Sequence, residues 1–187
     1  KAAGYRDFTE GAVGCGLLDT LGNKGATALS FSLGTTSFLF VNCHLSANQN
    51  SEAQRDADYQ KIVNELNKKY GFTTLAKATS MRRNNSASGL TSEDSKIAVA
   101  SVVSSEPASP ASKTVFDCID RVFWAGDTNY RINGTRKMVE KLVALNMTEV
   151  LLANDQLTKS KAQKTAFSEL VEGEIKFKPS YKYKRVK

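Results

Sequence analysis

No apolar run in this sequence approaches the roughly 20 residues that a membrane-spanning helix needs, so the 187 residues hold no candidate helical span. The first ten residues, Lys1 to Glu10, lack the apolar centre of a secretory signal peptide. They do not begin with Met, and residues upstream are expected. Cysteine is scarce as well. Cys15, Cys43 and Cys118 are odd in number, widely spaced and set among apolar neighbours, which argues against a disulfide framework or a zinc cluster and fits a reducing compartment. His44 is the only histidine. Three glycosylation sequons, at Asn84, Asn133 and Asn146, are tripeptides common by chance, and no secretory signal supports them.

Basic charge is what the chain has in excess. The formal net charge is +7, and the last dozen residues, "KFKPSYKYKRVK", carry basic side chains and no acid. Such a tail suits nucleic acid, an anionic membrane surface or a phosphorylated small molecule, or is simply a solvated face; charge alone does not choose.

The apolar pattern predicts three short strands, Gly14 to Asp19, Ala26 to Ser32 and Ser37 to Cys43, joined by the Gly-containing turns "LGNKG" and "LGTT". From Glu52 the period changes. Ala53, Ala57, Tyr59, Ile62, Val63 and Leu66 follow helical spacing to about Tyr70, with Ser51 as N-cap. Residues 76 to 112 are rich in Ser, Ala and Thr and read as an inserted, largely disordered loop within one domain. Beyond it, Arg121 to Ala125 is expected as a strand, Thr135 to Leu145 as a helix, and Glu149 to Leu157 as the start of another. Phe167 to Val171 and Ile175 to Phe177 are the last apolar pieces. This order predicts a mixed sheet packed by helices.

Two of the strands run outward into polar chemistry. "FLFVNCHL" leads to Asn42 and His44, and "FWAGDTNYRI" leads to Asp127 and Asn129. Residues two apart on a strand face the same side, so each pair is expected to project together from a strand's C-terminal end, where open sheets place their sites. The set suits phosphate chemistry. Asp127 can accept a proton from an attacking water, Asn129 can donate to developing charge on phosphorus, and His44 can donate to a phosphoryl oxygen. Against this, Asp-x-Asn is also a common turn, and "GNKG" is equally a tight turn that exposes Lys24.

Taken in order, "GNKGA" (Gly22 to Ala26), "FVNCHLSA" (Phe40 to Ala47), "FWAGDTNYRI" (Phe123 to Ile132), "DQL" (Asp155 to Leu157) and "FSELVEGEIKFKPSYKYK" (Phe167 to Lys184) resemble successive signatures of the inositol polyphosphate 5-phosphatases. The resemblance implies an α+β fold, a two-sheet β-sandwich flanked by helices as in the endonuclease/exonuclease/phosphatase superfamily, incomplete in this chain. It makes residues 1–187 a partial catalytic domain carrying the Ser-rich insertion. It further implies Mg²⁺-dependent removal of the 5-phosphate from phosphoinositides or inositol polyphosphates, with a Glu metal ligand lying outside this chain. By the same resemblance Asp127 is the water-activating acid, Asn129 the supporting amide and His44 the phosphate-contacting imidazole. Asn42 is a candidate substrate contact, Tyr181 and Lys182 match a segment that recognises a neighbouring ring phosphate, and Lys24 and Arg131 are candidates for phosphate contact or structural pairing. Asn48 and Lys184 stand where the family more often has His and an acid.

Three functions follow from these residues. The first is a phosphoinositide phosphatase at a cytosolic membrane face, with an anionic membrane surface as partner and no nucleic acid. The second is an inactive truncated module that binds anionic lipid. The third is a nuclease of the same superfamily, which would be expected to spread basic and aromatic residues along a groove.

Overall fold

The computed structural model describes residues 4–16, 22–71 and 113–181. Four strands form one sheet in the order β1-β2-β3-β4: β1 Tyr5–Gly14, β2 Gly25–Leu33, β3 Thr36–His44 and β4 Arg121–Asp127. The first three make an antiparallel meander. β4 then joins β3 in parallel. The expected mixed sheet packed by helices is therefore present, while a second sheet is not among the described residues.

β3 shows how sequence alternation becomes two sheet faces. Leu39, Val41 and Cys43 are buried, whereas Phe40, Asn42 and His44 between them are exposed. The buried set packs with Ala26 and Ala28 of β2 and with α1, Glu52–Leu66, through Tyr59, Ile62, Val63 and Leu66. Each such aliphatic side chain contributes about 1.5–3 kcal/mol by leaving water. Tyr59, Trp124 and Phe167 close this core, with ring centroids 5.1 Å apart for Tyr59–Trp124 and 4.2 Å for Tyr59–Phe167.

The opposite face carries a row of rings. Phe31 stacks on Phe38 at 5.4 Å and on Phe40 at 6.0 Å, and Phe40 stacks on Phe123 at 4.9 Å. Even so, Phe40 and Phe123 remain 41% and 49% exposed.

After β4 come three short helices, α3 Arg136–Ala144, α4 Thr148–Ala153 and α5 Gln156–Ala162; a single turn, α2 Val115–Cys118, precedes it. Thr135 and Asp155 cap α3 and α5 by accepting the N–H groups of Met138 and Thr158.

Several expectations need correction. The first described strand is Tyr5–Gly14 and ends where the expected strand from Gly14 to Asp19 begins, and residues 17–19 of that expectation lie outside the described residues; the side chains of β1 are mostly exposed, so pairing with β2 rather than apolar alternation defines it. Ser51 precedes α1 but makes no side-chain cap hydrogen bond. Ala53 and Ala57 of the expected apolar stripe are exposed, and Arg55 and Asp58 are buried instead. The helix ends in a π-helical turn at Asn67–Gly71. Asp155 divides the expected helix from Glu149 to Leu157 into α4 and α5, because its side chain caps the second. The Ser-rich segment 76–112 lies outside the described residues.

Candidate active site

β3 and β4 end on the same rung: in the parallel register His44 pairs with Asp127 and Asn42 with Ala125. The ladder continues one step further, Leu45 N–H donating to the Asp127 carbonyl at 2.9 Å. Strand alternation puts Asn42 and His44 on one exposed face, as expected. His44 Nε2 lies 3.7 Å from Asp127 Oδ2, too far for a hydrogen bond. Lys24 Nζ approaches the same nitrogen at 2.7 Å, since the adjacent Gly25 pairs with His44 across β2 and β3. An ammonium only donates. Nε2 is therefore the acceptor of this contact.

Gly126 makes the rung possible. Its φ is +121°, and a Cβ there would fall 2.0 Å from the Cys43 carbonyl oxygen and 2.9 Å from Asn42 Oδ1. Only a residue without a side chain lets β4 pass so close to β3.

Asn129 does not share a strand face with Asp127, because β4 stops at Asp127 and Asn129 adopts a left-handed φ of 57°. The pair instead forms a turn, Asn129 N–H donating to Asp127 Oδ1 at 3.1 Å. The turn brings the amide back to the strand ends. Its Nδ2 donates to the Leu45 carbonyl at 3.0 Å, and its Oδ1 accepts from Arg131 Nη2 at 2.6 Å. Because guanidinium has no acceptor, Arg131 fixes which way the amide faces and leaves one N–H of Nδ2 to offer. Arg131 thus makes a structural pairing.

Residues that sequence reasoning missed hold the two loops in place. Arg55, fully buried, donates to the carbonyls of Ser46 and Asn48 at 3.2 and 2.8 Å and to Gln156 Oε1. Burial draws its guanidinium below the usual arginine range, yet such a group stays charged at neutral pH. Asp58 accepts the Ser46 N–H at 2.9 Å. Asp56 accepts the hydroxyls of Tyr130, Ser160 and Thr165. The available signal was their helical spacing: Arg55, Asp58, Tyr59 and Ile62 lie three and four apart on the inward face of α1. Tyr181 is exposed, and Lys182 lies outside the described residues.

Among the described residues no three His, Cys, Asp or Glu side chains gather as a metal site. Asp127 and Asn42 supply hard oxygen donors, but they do not make a cation site by themselves.

An α+β protein with an acid, an amide and an imidazole at the ends of adjacent parallel strands is the class defined by this architecture. The chain belongs to endonuclease/exonuclease/phosphatase family 2, whose family model matches residues 3–187. It is 34% identical over 174 residues to the type I inositol polyphosphate 5-phosphatase 5 of Arabidopsis thaliana, an alignment that takes in 92% of this chain and 27% of the relative. The chain therefore spans about a quarter of that relative's length. Among solved structures it is similar to the inositol polyphosphate 5-phosphatase domain of SPsynaptojanin in complex with inositol (1,4)-bisphosphate and calcium ion, with TM-score 0.64, 24% identity, and coverage of 96% of this chain and 40% of that one. It is also similar to Cimex nitrophorin in its ferrous NO complex, with TM-score 0.57, 21% identity, and coverage of 96% and 46%. Both structural likenesses concern the fold. Since the same fold occurs in a phosphatase domain and a nitrophorin, chemistry has to be argued from the site.

Proposed function

We propose that the chain forms part of the catalytic domain of a phosphomonoester hydrolase that removes the 5-phosphate from phosphoinositides or inositol polyphosphates. The observation that carries this reading is the rung His44–Asp127 with Lys24 on one side and the Asn129 amide on the other. The relatives' chemistry supports it.

In this reading Asp127, exposed at the strand end, accepts a proton from the attacking water. The free N–H of Asn129 donates to a phosphoryl oxygen as charge develops there. Lys24 and His44 meet the incoming phosphate, Lys24 as a cation and His44 as a donor through Nδ1 or, once Lys24 turns to the phosphate, through a protonated Nε2. Asn42, on the same exposed face, contacts the substrate. Tyr181 and Lys182 recognise a neighbouring ring phosphate, and the basic tail draws the chain to an anionic membrane surface on the cytosolic side, an attraction that salt weakens.

Dependence on Mg²⁺ belongs to the same proposal and is supported by the family relationship, with a Glu ligand from outside this chain. The open row Phe31, Phe38, Phe40 and Phe123 supports a two-sheet sandwich, with a second sheet seated on those rings. Residues 76–112 are a Ser-rich insertion in that single domain. The competing readings are an inactive module that binds anionic lipid and a nuclease.

Asp127→Asn in the full-length protein separates them. Phosphate release from a 5-phosphorylated inositol polyphosphate is expected to fall at least about 10²-fold, with vesicle binding unchanged. Undiminished turnover in the variant would show that Asp127 is not the base, no release by the unmodified protein would favour the binding module, and cleavage of nucleic acid instead would favour the nuclease.

A further inference from the structure

We infer that Gln156, the central residue of the "DQL" signature, is the positioning residue that aims the Asn129 amide. The inference rests on the hydrolase reading for its kinetic consequence, though not for its geometry.

Gln156 is 2% exposed, and both ends of its amide are used. Nε2 donates to the Gln49 carbonyl at 3.0 Å and to Asn133 Oδ1 at 2.8 Å. Oε1 accepts from Arg55 and from the Arg131 N–H at 2.9 Å. The Gln156 backbone N–H also donates to the Arg131 carbonyl at 2.9 Å. One residue thus grips both backbone polar groups of Arg131. It also joins the loop after β3, through Gln49, to the loop after β4, through Arg131 and Asn133.

The consequence reaches the site in one step. Arg131 Nη2 holds Asn129 Oδ1 at 2.6 Å, so the position of the guanidinium decides where the amide's remaining N–H points. Replace Gln156 by an apolar residue and Arg131 loses one of its two backbone anchors, while the buried charge of Arg55 loses an acceptor. No ordinary packing role demands this complete use of a buried amide, since an apolar side chain fills such a space without needing four partners.

The test is a double-mutant cycle in the full-length protein, with Gln156→Met, Asn129→Ala and both together, assayed on a soluble 5-phosphorylated inositol polyphosphate. Gln156→Met is expected to lower kcat roughly 10²-fold with KM little changed, the penalty of a misaimed group. In the Asn129→Ala background the same change is expected to cost less than about 3-fold, because its target is already gone. Losses that multiply fully, or a change in KM alone, would overturn the inference. A second variant, Arg131→Met, keeps the backbone contacts of Gln156 but removes the guanidinium; it is expected to show the same kcat loss and the same non-additivity, and decides the matter if Gln156→Met does not fold. Should the unmodified protein show no turnover, the hydrolase reading fails and the side-chain amide resonances of Asn129 decide the geometry. Those signals are expected to move in Gln156→Met and Arg131→Met; unmoved signals would refute the relay.

Discussion

Lys24 and His44 meet across the antiparallel pair of β2 and β3, Nζ to Nε2 at 2.7 Å, and this contact is shorter than the 3.7 Å from the same ring nitrogen to Asp127. Asp127 is thereby left without a hydrogen bond from His44 and stands exposed, its Oδ1 accepting the Asn129 N–H. A cation, an imidazole and a carboxylate are thus held at one rim by three different strand ends. On the proposed hydrolase reading, an incoming phosphate would meet positive charge before the carboxylate, an order that suits an anionic substrate attacked by an activated water.

Lys24→Met tests that order. The variant retains the stem's length but removes the charge-assisted contact, so kcat/KM is expected to fall about 10- to 100-fold, the worth of one hydrogen bond to a charged group. Its activity should also depend less steeply on ionic strength than that of the unmodified protein. Initial rates at several salt concentrations measure both effects; an unchanged salt dependence would remove Lys24 from the phosphate path.

Gly126→Ala is expected to be destabilising out of proportion to one methyl group. The φ of +121° is unfavourable for any L side chain, and the methyl would meet the Cys43 carbonyl oxygen at 2.0 Å and its nitrogen at 2.6 Å. Both obstacles are backbone atoms that cannot swing aside. Strain and overpacking together cost about 2–6 kcal/mol, read as a lowered urea midpoint. A change below about 0.5 kcal/mol would mean that the rung separates freely.

The sheet was legible in the chain wherever burial follows alternation. Leu39, Val41 and Cys43 mark one face of β3 while Phe40, Asn42 and His44 mark the other, so the strand and its polar exit follow from the pattern. β1 has no such face to read; its register is set by β2, with an irregularity between Arg6 and Thr9 that no local rule announces. Asn129 was identifiable as a residue, but its geometry was not, because the strand ends two positions earlier and a left-handed turn carries the amide round. Arg55 and Asp58 escaped because patterning assigns charged residues to solvent, and only the convergence of two loops and α5 explains their burial. For "DQL" the signature was visible, but its partner Gln49 lies 107 residues away, a contact that sequence spacing cannot anticipate.

Acid should weaken the junction where β3 and β4 begin. Asp120 accepts the Ser37 N–H at 2.8 Å and the Ser37 hydroxyl at 2.7 Å, and the backbone hydrogen bond is the main reason its carboxyl lies below the ordinary aspartate range. A lowered folded-state value means that the unfolded chain binds the proton first. The stabilisation is therefore present above the unfolded value of about 3.9 and is lost as pH falls through the lowered one. Thermal midpoints measured from neutral pH down to about pH 2 should show a decline that is shallower in Asp120→Asn; identical slopes in the two proteins would assign the acid sensitivity to other carboxylates.

Tyr130 and Asp56 extend the argument to alkaline pH. Burial, then the hydrogen bond to Asp56, pushes the Tyr130 phenol well above the ordinary tyrosine range, and burial does the same for Tyr59, with the hydrogen bond to Glu169 next. A raised folded-state value leaves stability unaffected below about pH 10, where tyrosine is protonated in both states. Above that pH the unfolded chain releases its protons first, so stability is expected to fall as pH rises. Tyr130→Phe removes the phenol and should flatten this alkaline decline, at a cost near neutral pH of about 1–3 kcal/mol because Asp56 loses one donor. Asp56→Ala goes further, since it leaves the hydroxyls of Tyr130, Ser160 and Thr165 without their shared acceptor. Its cost is expected to exceed that of Tyr130→Phe in urea unfolding at neutral pH. Equal costs would mean that Ser160 and Thr165 satisfy themselves elsewhere, Thr165 through the Ser160 carbonyl that it already reaches at 3.2 Å.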